Sequence, residues 1–264
     1  MSPTILESAL ARAMTRPAFA AGAQRGWSLF LHVDGTLLDF ADSPGGVEVP
    51  AGLAPLLRRV SESLNCAVAL ISGRSVPDLD QLLSPLRLPC AALHGVERRD
   101  AGGQISRCPV DYVGLDRARR AVHELLEEYP EVELEDKRLA IALHFRRKPH
   151  LGSPLRRSLH ALIRVLGPTL TVQDGTYVLE VKPSAGNIST ALEAFMAEPP
   201  FAGRRPICVG DRLADSHAFR AVHRHGGLAI AVGMPVHSPW QLPDPHAVQG
   251  WLEGFAALHR GTGH

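Results

Sequence analysis

Cysteine is scarce in this chain of 264 residues, which has Cys66, Cys90, Cys108 and Cys208 and no CxxC pair among them. That spacing excludes a zinc-ribbon or redox-dithiol reading and gives no disulfide framework. Three of the four lie in or beside apolar segments, where a free thiol packs as a small hydrophobe, so buried structural thiols are expected. Net charge is also nearly absent. At +1, no field draws the chain to nucleic acid or to an anionic membrane, and neither partner is expected. No run approaches the ~20 apolar residues of a membrane span. The first 25 residues have Ala-rich patches broken by Glu7, Arg12, Arg16 and Pro17, so they lack the apolar core of a signal peptide. The thirteen His residues are scattered and form no HExxH or His/Cys ligand pattern. These absences lead to the expectation of a reduced, cytoplasmic protein.

What is present is an ordinary globular composition, 45% hydrophobic and 21% charged, long enough for one large domain or two smaller ones. Strand-like apolar runs alternate with helical patterns, which predicts βαβ units and a parallel sheet. Strands are expected at 28–33, 67–71, 90–93, 206–209 and 228–232. Helices are expected at 52–63, where Leu53, Leu56, Leu57 and Val60 share a face, and at 76–83, 190–196 and 251–258. The middle of the chain changes style. Ala118, Val122, Leu125 and Leu126 make one stripe of a helix over 115–129, residues 133–146 alternate as a strand, and 154–166 is helical. Gln173-Asp174-Gly175-Thr176 between the runs 170–172 and 177–181 is a hairpin signal. The expected fold class is α/β: a Rossmann-like parallel core from 1–107 and 182–264, with an α+β cap of 108–181 inserted into it.

The segment Leu29-Phe30-Leu31-His32-Val33-Asp34-Gly35-Thr36-Leu37 delivers an acidic loop from a buried strand to the carboxyl edge of the sheet, where open α/β folds keep their sites. The loop resembles the first motif of the haloacid dehalogenase superfamily, Asp-x-Asp-Gly-Thr. With Ile71-Ser72-Gly73-Arg74, Leu93-His94-Gly95-Val96-Glu97, His144-Phe145-Arg146, Leu179-Glu180-Val181-Lys182-Pro183 and Val209-Gly210-Asp211, the ordered set over 27–235 resembles the trehalose-6-phosphate phosphatase family. The resemblance implies a haloacid dehalogenase-type core, an inserted cap, Mg²⁺ dependence and a phosphorylated sugar as substrate. It further implies that Asp34 stands at the acid/base position, that Thr36, Ser72 and Gly73 hold phosphate, that Asp211 is a metal ligand, and that His94, Glu97, Glu180 and Lys182 grip the sugar.

The departures from the family pattern fall on its chemistry. His32 occupies the position of the attacking Asp, Ile188 that of a Lys, and Arg212 and Ser216 replace two carboxylates in Gly210-Asp211-Arg212-Leu213-Ala214-Asp215-Ser216. Mg²⁺ requires hard oxygen ligands and here faces a fixed cation instead, so the metal site at Asp211 is expected to be weak or absent. Imidazole can accept a phosphoryl group, but it would act without the ion that neutralises that group. Arg212 joins the expected phosphate-binding set, because a guanidinium matches phosphate bidentately. The leading expectation is a pseudophosphatase that binds or senses a phosphosugar, or that modulates a protein partner of trehalose metabolism. The alternative is a working phosphatase using His32 or a repositioned carboxylate, Asp34, Asp39 or Asp215.

Overall fold

A computed structural model of the protein describes residues 26–40, 46–211, 217–233 and 240–259. β1 (Trp27–His32) is buried along nearly its whole length, as a strand must be when helices cover both sides of a sheet. It pairs in parallel with β2 (Val68–Ile71) and with β10 (Arg205–Gly210). β2 continues in parallel to β3 (Cys90–Ala92), and β10 continues to β11 (Leu228–Val232) and β12 (Gln241–Leu242). Two short antiparallel strands that the periodicity does not disclose, β4 (Glu97–Arg99) and β5 (Ile105–Arg107), extend the far edge. The order is β12-β11-β10-β1-β2-β3-β4-β5. Three residues each are too few for an alternating pattern to stand out.

The helices of this core are α1 (Leu53–Ser63), α2 (Val76–Leu82), α5 (Ile188–Met196), α6 (His217–Arg224) and α7 (Pro245–His259). α1 packs on α7, and α5 on α6. Under α5, the rings of Phe30, Phe195 and Phe201 lie 5.1 to 5.9 Å apart, and each is fully buried. Each such ring stabilises the fold by roughly 1.5–3 kcal/mol through area burial. α5 starts two residues earlier than its apolar stripe suggests, because the Asn187 side chain accepts the Thr190 amide at 2.8 Å and caps it. α7 likewise begins at Pro245, six residues before the expected start, and α6 is an element the sequence reading did not contain.

Between β5 and α5 the chain builds a second, four-stranded antiparallel sheet, β6-β7-β9-β8, covered by α3 (Tyr112–Leu126) and α4 (Gly152–Leu166) around a separate apolar cluster. The stretch 133–146 is not one strand but a hairpin, β6 (Glu133–Asp136) and β7 (Ile141–His144). Arg138 turns left-handed at φ 67° between them, so the alternation continues on both sides of a break. β8 (Leu170–Asp174) and β9 (Val178–Pro183) form the expected second hairpin, closed by the Gly175 amide on the Val178 carbonyl at 2.7 Å. The fold is thus a Rossmann-like parallel-sheet core with an α+β cap, as expected.

Cys90 and Cys208 are buried, and burial pushes their thiols up to about 11 and about 12. Cys66 is exposed and Cys108 half-buried, so the expectation of buried thiols is met by Cys90 and Cys208. Cys66 sits in the left-handed turn that follows α1, at φ 66°, where the chain must pass over the surface to reach β2. Among the described residues, no helix is long and apolar enough to cross a membrane.

Candidate functional site

The order β2-β1-β10 brings three strand ends together: His32 in register with Ile71, and Leu31 with Val209. The residues that follow, Asp34, Ser72 and Asp211, therefore line one mouth. Over it lies the β6-β7-β9-β8 sheet, and the two enclose a cavity of about 1400 Å³. The Asp34 loop is a tight turn: Gly35 has φ +75°, its amide bonds to Leu38 O at 2.7 Å, and the amides of Leu37 and Leu38 both bond to Val33 O. Only glycine holds that conformation without strain.

The His32 ring rests against the Gly210 backbone, where an added Cβ would come within 2.7 Å of the imidazole. Its Nδ1 lies 3.7 Å from Asp211 Oδ1. Asp34 is held by a fork: Arg74 Nη2 donates to Oδ1 at 2.7 Å and Nε to Oδ2 at 3.0 Å. Burial would lower the Arg74 pKa, but the hydrogen bonds and charge of Asp34 outweigh it and the net direction is up. The Ser72 hydroxyl accepts the Arg74 amide at 3.0 Å at the same strand end.

A chain of charged groups crosses from core to cap. His94 Nε2 lies 3.1 Å from Glu180 Oε2, and Lys137 Nζ donates to Glu180 Oε1 at 2.8 Å and to the Gly73 carbonyl at 3.0 Å. Glu135 continues it, 3.7 Å from Lys137 and 2.8 Å from His144 Nε2. Glu180 is buried, and burial alone would raise its carboxyl. The charges of His94 and Lys137 win and hold it well below the usual carboxylate range. Lys137 is likewise raised against its own burial, by Glu180 and Glu135. Gly73 is needed here, since a Cβ would meet His94 Nε2 at 2.7 Å. Above the cavity, the Arg146 guanidinium lies between the rings of Phe40 and Tyr177, at 5.6 and 5.0 Å.

Of the residues expected from the sequence, His32, Asp34, Ser72, Gly73, His94, Glu180, Ile188 and Asp211 line this cavity, as does Asp39. Three do not. Thr36 is fully buried beneath the loop, Glu97 is buried on β4 and accepts from Arg107 Nε at 2.8 Å, and Lys182 donates to the Gly186 carbonyl. The alternation of β9 explains the last of these: Glu180 and Lys182 leave the strand on the same face, but Glu180 falls opposite Ala142 on β7 while Lys182 lies one step further, beside Thr171. Arg212, Asp215 and Ser216 lie outside the described residues. The sequence reading gave no site role to Arg74, Glu135, Lys137, His144, Arg146 or Tyr177, all of which line the cavity. A signal for Lys137 exists only in hindsight, as the charged break between two half-strands.

The metal question is one of donors. Among the described residues, no three His, Cys, Asp or Glu side chains converge so as to hold an ion. His32 contributes nitrogen, and the Asp34 carboxylate is engaged by Arg74.

The Trehalose-phosphatase family profile matches residues 30–241. A probable trehalose-phosphate phosphatase of Sinorhizobium fredii is 38% identical over 236 residues, covering 88% of this chain and 89% of that one. The trehalose-6-phosphate phosphatase of Escherichia coli is 37% identical over 230 residues, 86% and 85% of the two chains. Among solved structures, the C-terminal domain of the Candida albicans trehalose-6-phosphate phosphatase superposes with a TM-score of 0.78 at 22% identity, covering 89% of this chain and 93% of that one. A phosphatase of the haloalkanoate (HAD) superfamily from Bacteroides thetaiotaomicron shares the fold at 0.54 and 16%, covering 89% and 96%.

Proposed function

Because the chain belongs to the trehalose-phosphatase family, we propose that its cavity binds a phosphorylated sugar, trehalose 6-phosphate first, and does not hydrolyse it. The observation that carries this reading is His32 at the mouth, packed on Gly210 beside Asp211, where the family pattern has its attacking carboxylate. Phosphoryl transfer to an imidazole would leave the developing charge on the phosphoryl oxygens to be balanced by something other than a resident dication.

The donor set does not fit Mg²⁺, which demands near-octahedral oxygen coordination. Among the described residues one nitrogen, the Asp211 carboxylate and a second carboxylate already bound by a guanidinium fall short of it, and Mg²⁺ binding is read as weak or absent. The residues suit an anion and its sugar instead. The Ser72 hydroxyl and the strand-end amides can donate to phosphate oxygens, and Arg212, which replaces a carboxylate of the family pattern, adds a cation next to Asp211 in the chain. Glu180, Lys137, Glu135, His94 and His144 offer alternating donors and acceptors for sugar hydroxyls. Asp34 turns both carboxylate oxygens toward the Arg74 guanidinium. In a cell this protein would act in the cytoplasm as a sensor of the phosphosugar, or on an active relative or the synthase.

Titration calorimetry with trehalose 6-phosphate in the presence of a chelator tests the reading. We expect one-site binding and no phosphate release. Absence of heat at millimolar ligand would discard binding, and phosphate release that depends on Mg²⁺ would establish instead a working enzyme built on Asp34 or Asp39.

A further inference from the structure

The cavity over Asp34 lies at the carboxyl ends of the core strands. At their amino ends, six residues or about 20 Å away along β10, the chain forms a second pocket of about 390 Å³. Its wall is Met196 at the end of α5, Gly203, Arg204 and Arg205 leading into β10, and Arg224 and His225 at the end of α6. The wall contains no acid.

The cations here outnumber the carboxylates that answer them. Glu193, one turn before Met196, accepts from Arg224 Nη2 and lies 2.7 Å from His225 Nε2, so one carboxylate serves both. Glu198 is engaged by Arg98, and residues 217–227 hold Arg220 and Arg224 but no Asp or Glu. Among the described residues, Arg204 and Arg205 meet only backbone and a ring. Arg204 Nη1 donates to the Trp27 carbonyl at 3.0 Å, Arg205 Nε donates to the Gly226 carbonyl at 2.7 Å, and the Arg205 guanidinium lies 4.7 Å from the centre of the Trp27 ring. Three guanidiniums against one carboxylate leave a surplus of two positive charges even with His225 neutral.

Local structure explains part of this. Arg224, in the last turn of α6, complements the helix dipole, and the two carbonyls need donors. Arg204 is different: its side chain is half-buried beside no carboxylate among the described residues, and burial lowers its pKa. A cation withdrawn from water is costly unless it is paired. Both Arg204 and Arg205 also keep N–H groups that no described acceptor takes.

We propose that this pocket binds a compact oxyanion of the phosphate or diphosphate class, at a site separate from the cavity over Asp34. Guanidinium N–H pairs match the paired oxygens of such an ion. The surplus charge supplies the attraction, and the anion gives Arg204 the counter-charge its surroundings lack. The inference does not depend on what the cavity over Asp34 binds.

Calorimetric titration of the full chain with inorganic pyrophosphate tests this, with tryptophan fluorescence as a local reporter because Arg205 lies over Trp27. In about 50 mM salt we expect one site with a dissociation constant below about 1 mM, weakening at least about threefold in about 300 mM salt. The change in emission should vanish in Trp27→Phe while the heat remains. Arg204→Gln combined with Arg224→Gln should weaken binding at least about tenfold. Glu193→Gln should tighten it at least about threefold, because the carboxylate competing for Arg224 is gone, and a folding defect cannot produce a gain. Ser72→Ala, in the other cavity, should leave pyrophosphate binding unchanged. Absence of heat at about 5 mM pyrophosphate, an affinity untouched by the double variant, a Glu193→Gln protein that binds no tighter, or binding abolished by Ser72→Ala would each overturn the proposal.

Discussion

An imidazole at residue 32 changes what its neighbours can do. Where the family pattern has a carboxylate, the ring's Nδ1 lies 3.7 Å from Asp211 Oδ1. If the substitutions at 32, 188 and 212 silenced a catalytic unit, reverting them together as His32→Asp, Ile188→Lys and Arg212→Asp should bring phosphate release from trehalose 6-phosphate with Mg²⁺ from nothing to a measurable rate. His32→Asp alone should recover far less, because members of one catalytic unit contribute non-additively, by factors up to about 10⁶. Glu180 is the second residue on which the site depends. Glu180→Ala strands Lys137 and His94 in a buried setting and is expected to cost about 3–5 kcal/mol in denaturant unfolding, as well as ligand binding. The sign with pH follows from the direction of its shift. The folded carboxyl lies below its ordinary 4.5, so its stabilisation is complete above that pH and is lost as the pH falls through the lowered value. The wild type should therefore lose its advantage over Glu180→Gln on acidification below about pH 4.5 and keep it at neutrality.

At the scale of elements, the loop after β3 decides where the core meets the cap. Leu93 and His94 both turn left-handed, at φ 48° and 54°, and Gly95 follows at +90° with its α-carbon against the Asn187 carbonyl. A Cβ there would come within 2.4 Å of that oxygen, and backbone cannot move aside as a flexible side chain would. Gly95→Ala should destabilise by at least about 1–3 kcal/mol, the range for one strained residue. Because Asn187 caps α5, the change should also displace Ile188 and lower phosphosugar affinity in calorimetry. A thermal melt that matched the wild type would show that the loop is more forgiving than its geometry suggests.

For the whole molecule, the cavity exists only because one sheet sits over the mouth of another. Anything that binds across both halves stabilises the native state by mass action, about 2.7 kcal/mol at one hundred times the dissociation constant. Trehalose 6-phosphate should raise the midpoint of thermal unfolding by several degrees. On the proposed metal-free reading, the shift should be the same in excess Mg²⁺ and in chelator. A shift that required Mg²⁺ would contradict the metal-free reading.

The periodicity of single elements carried the core strands and most helices, because burying β1 on both faces or α1 on one writes a local pattern into neighbouring residues. The motif order likewise carried the family, and the residue at 32 the departure from its pattern. What periodicity could not convey were β4 and β5, too short for a pattern, and the break at Arg138 inside an unbroken alternation. Side-chain destinations were the other gap. Glu97 and Lys182 sit in family motifs, yet one meets Arg107 on the next strand and the other a carbonyl beside the sheet. Arg74 bound to Asp34 across forty positions, and Lys137 bound to Glu180 across forty-three, are partnerships set by strand order. The sequence alone thus determined the core strands, most of the helices and the family, since those depend on residues near one another in the chain. The tertiary structure alone decided which charges neutralise which, since charge pairing depends on distance in space, and the fold sets that distance.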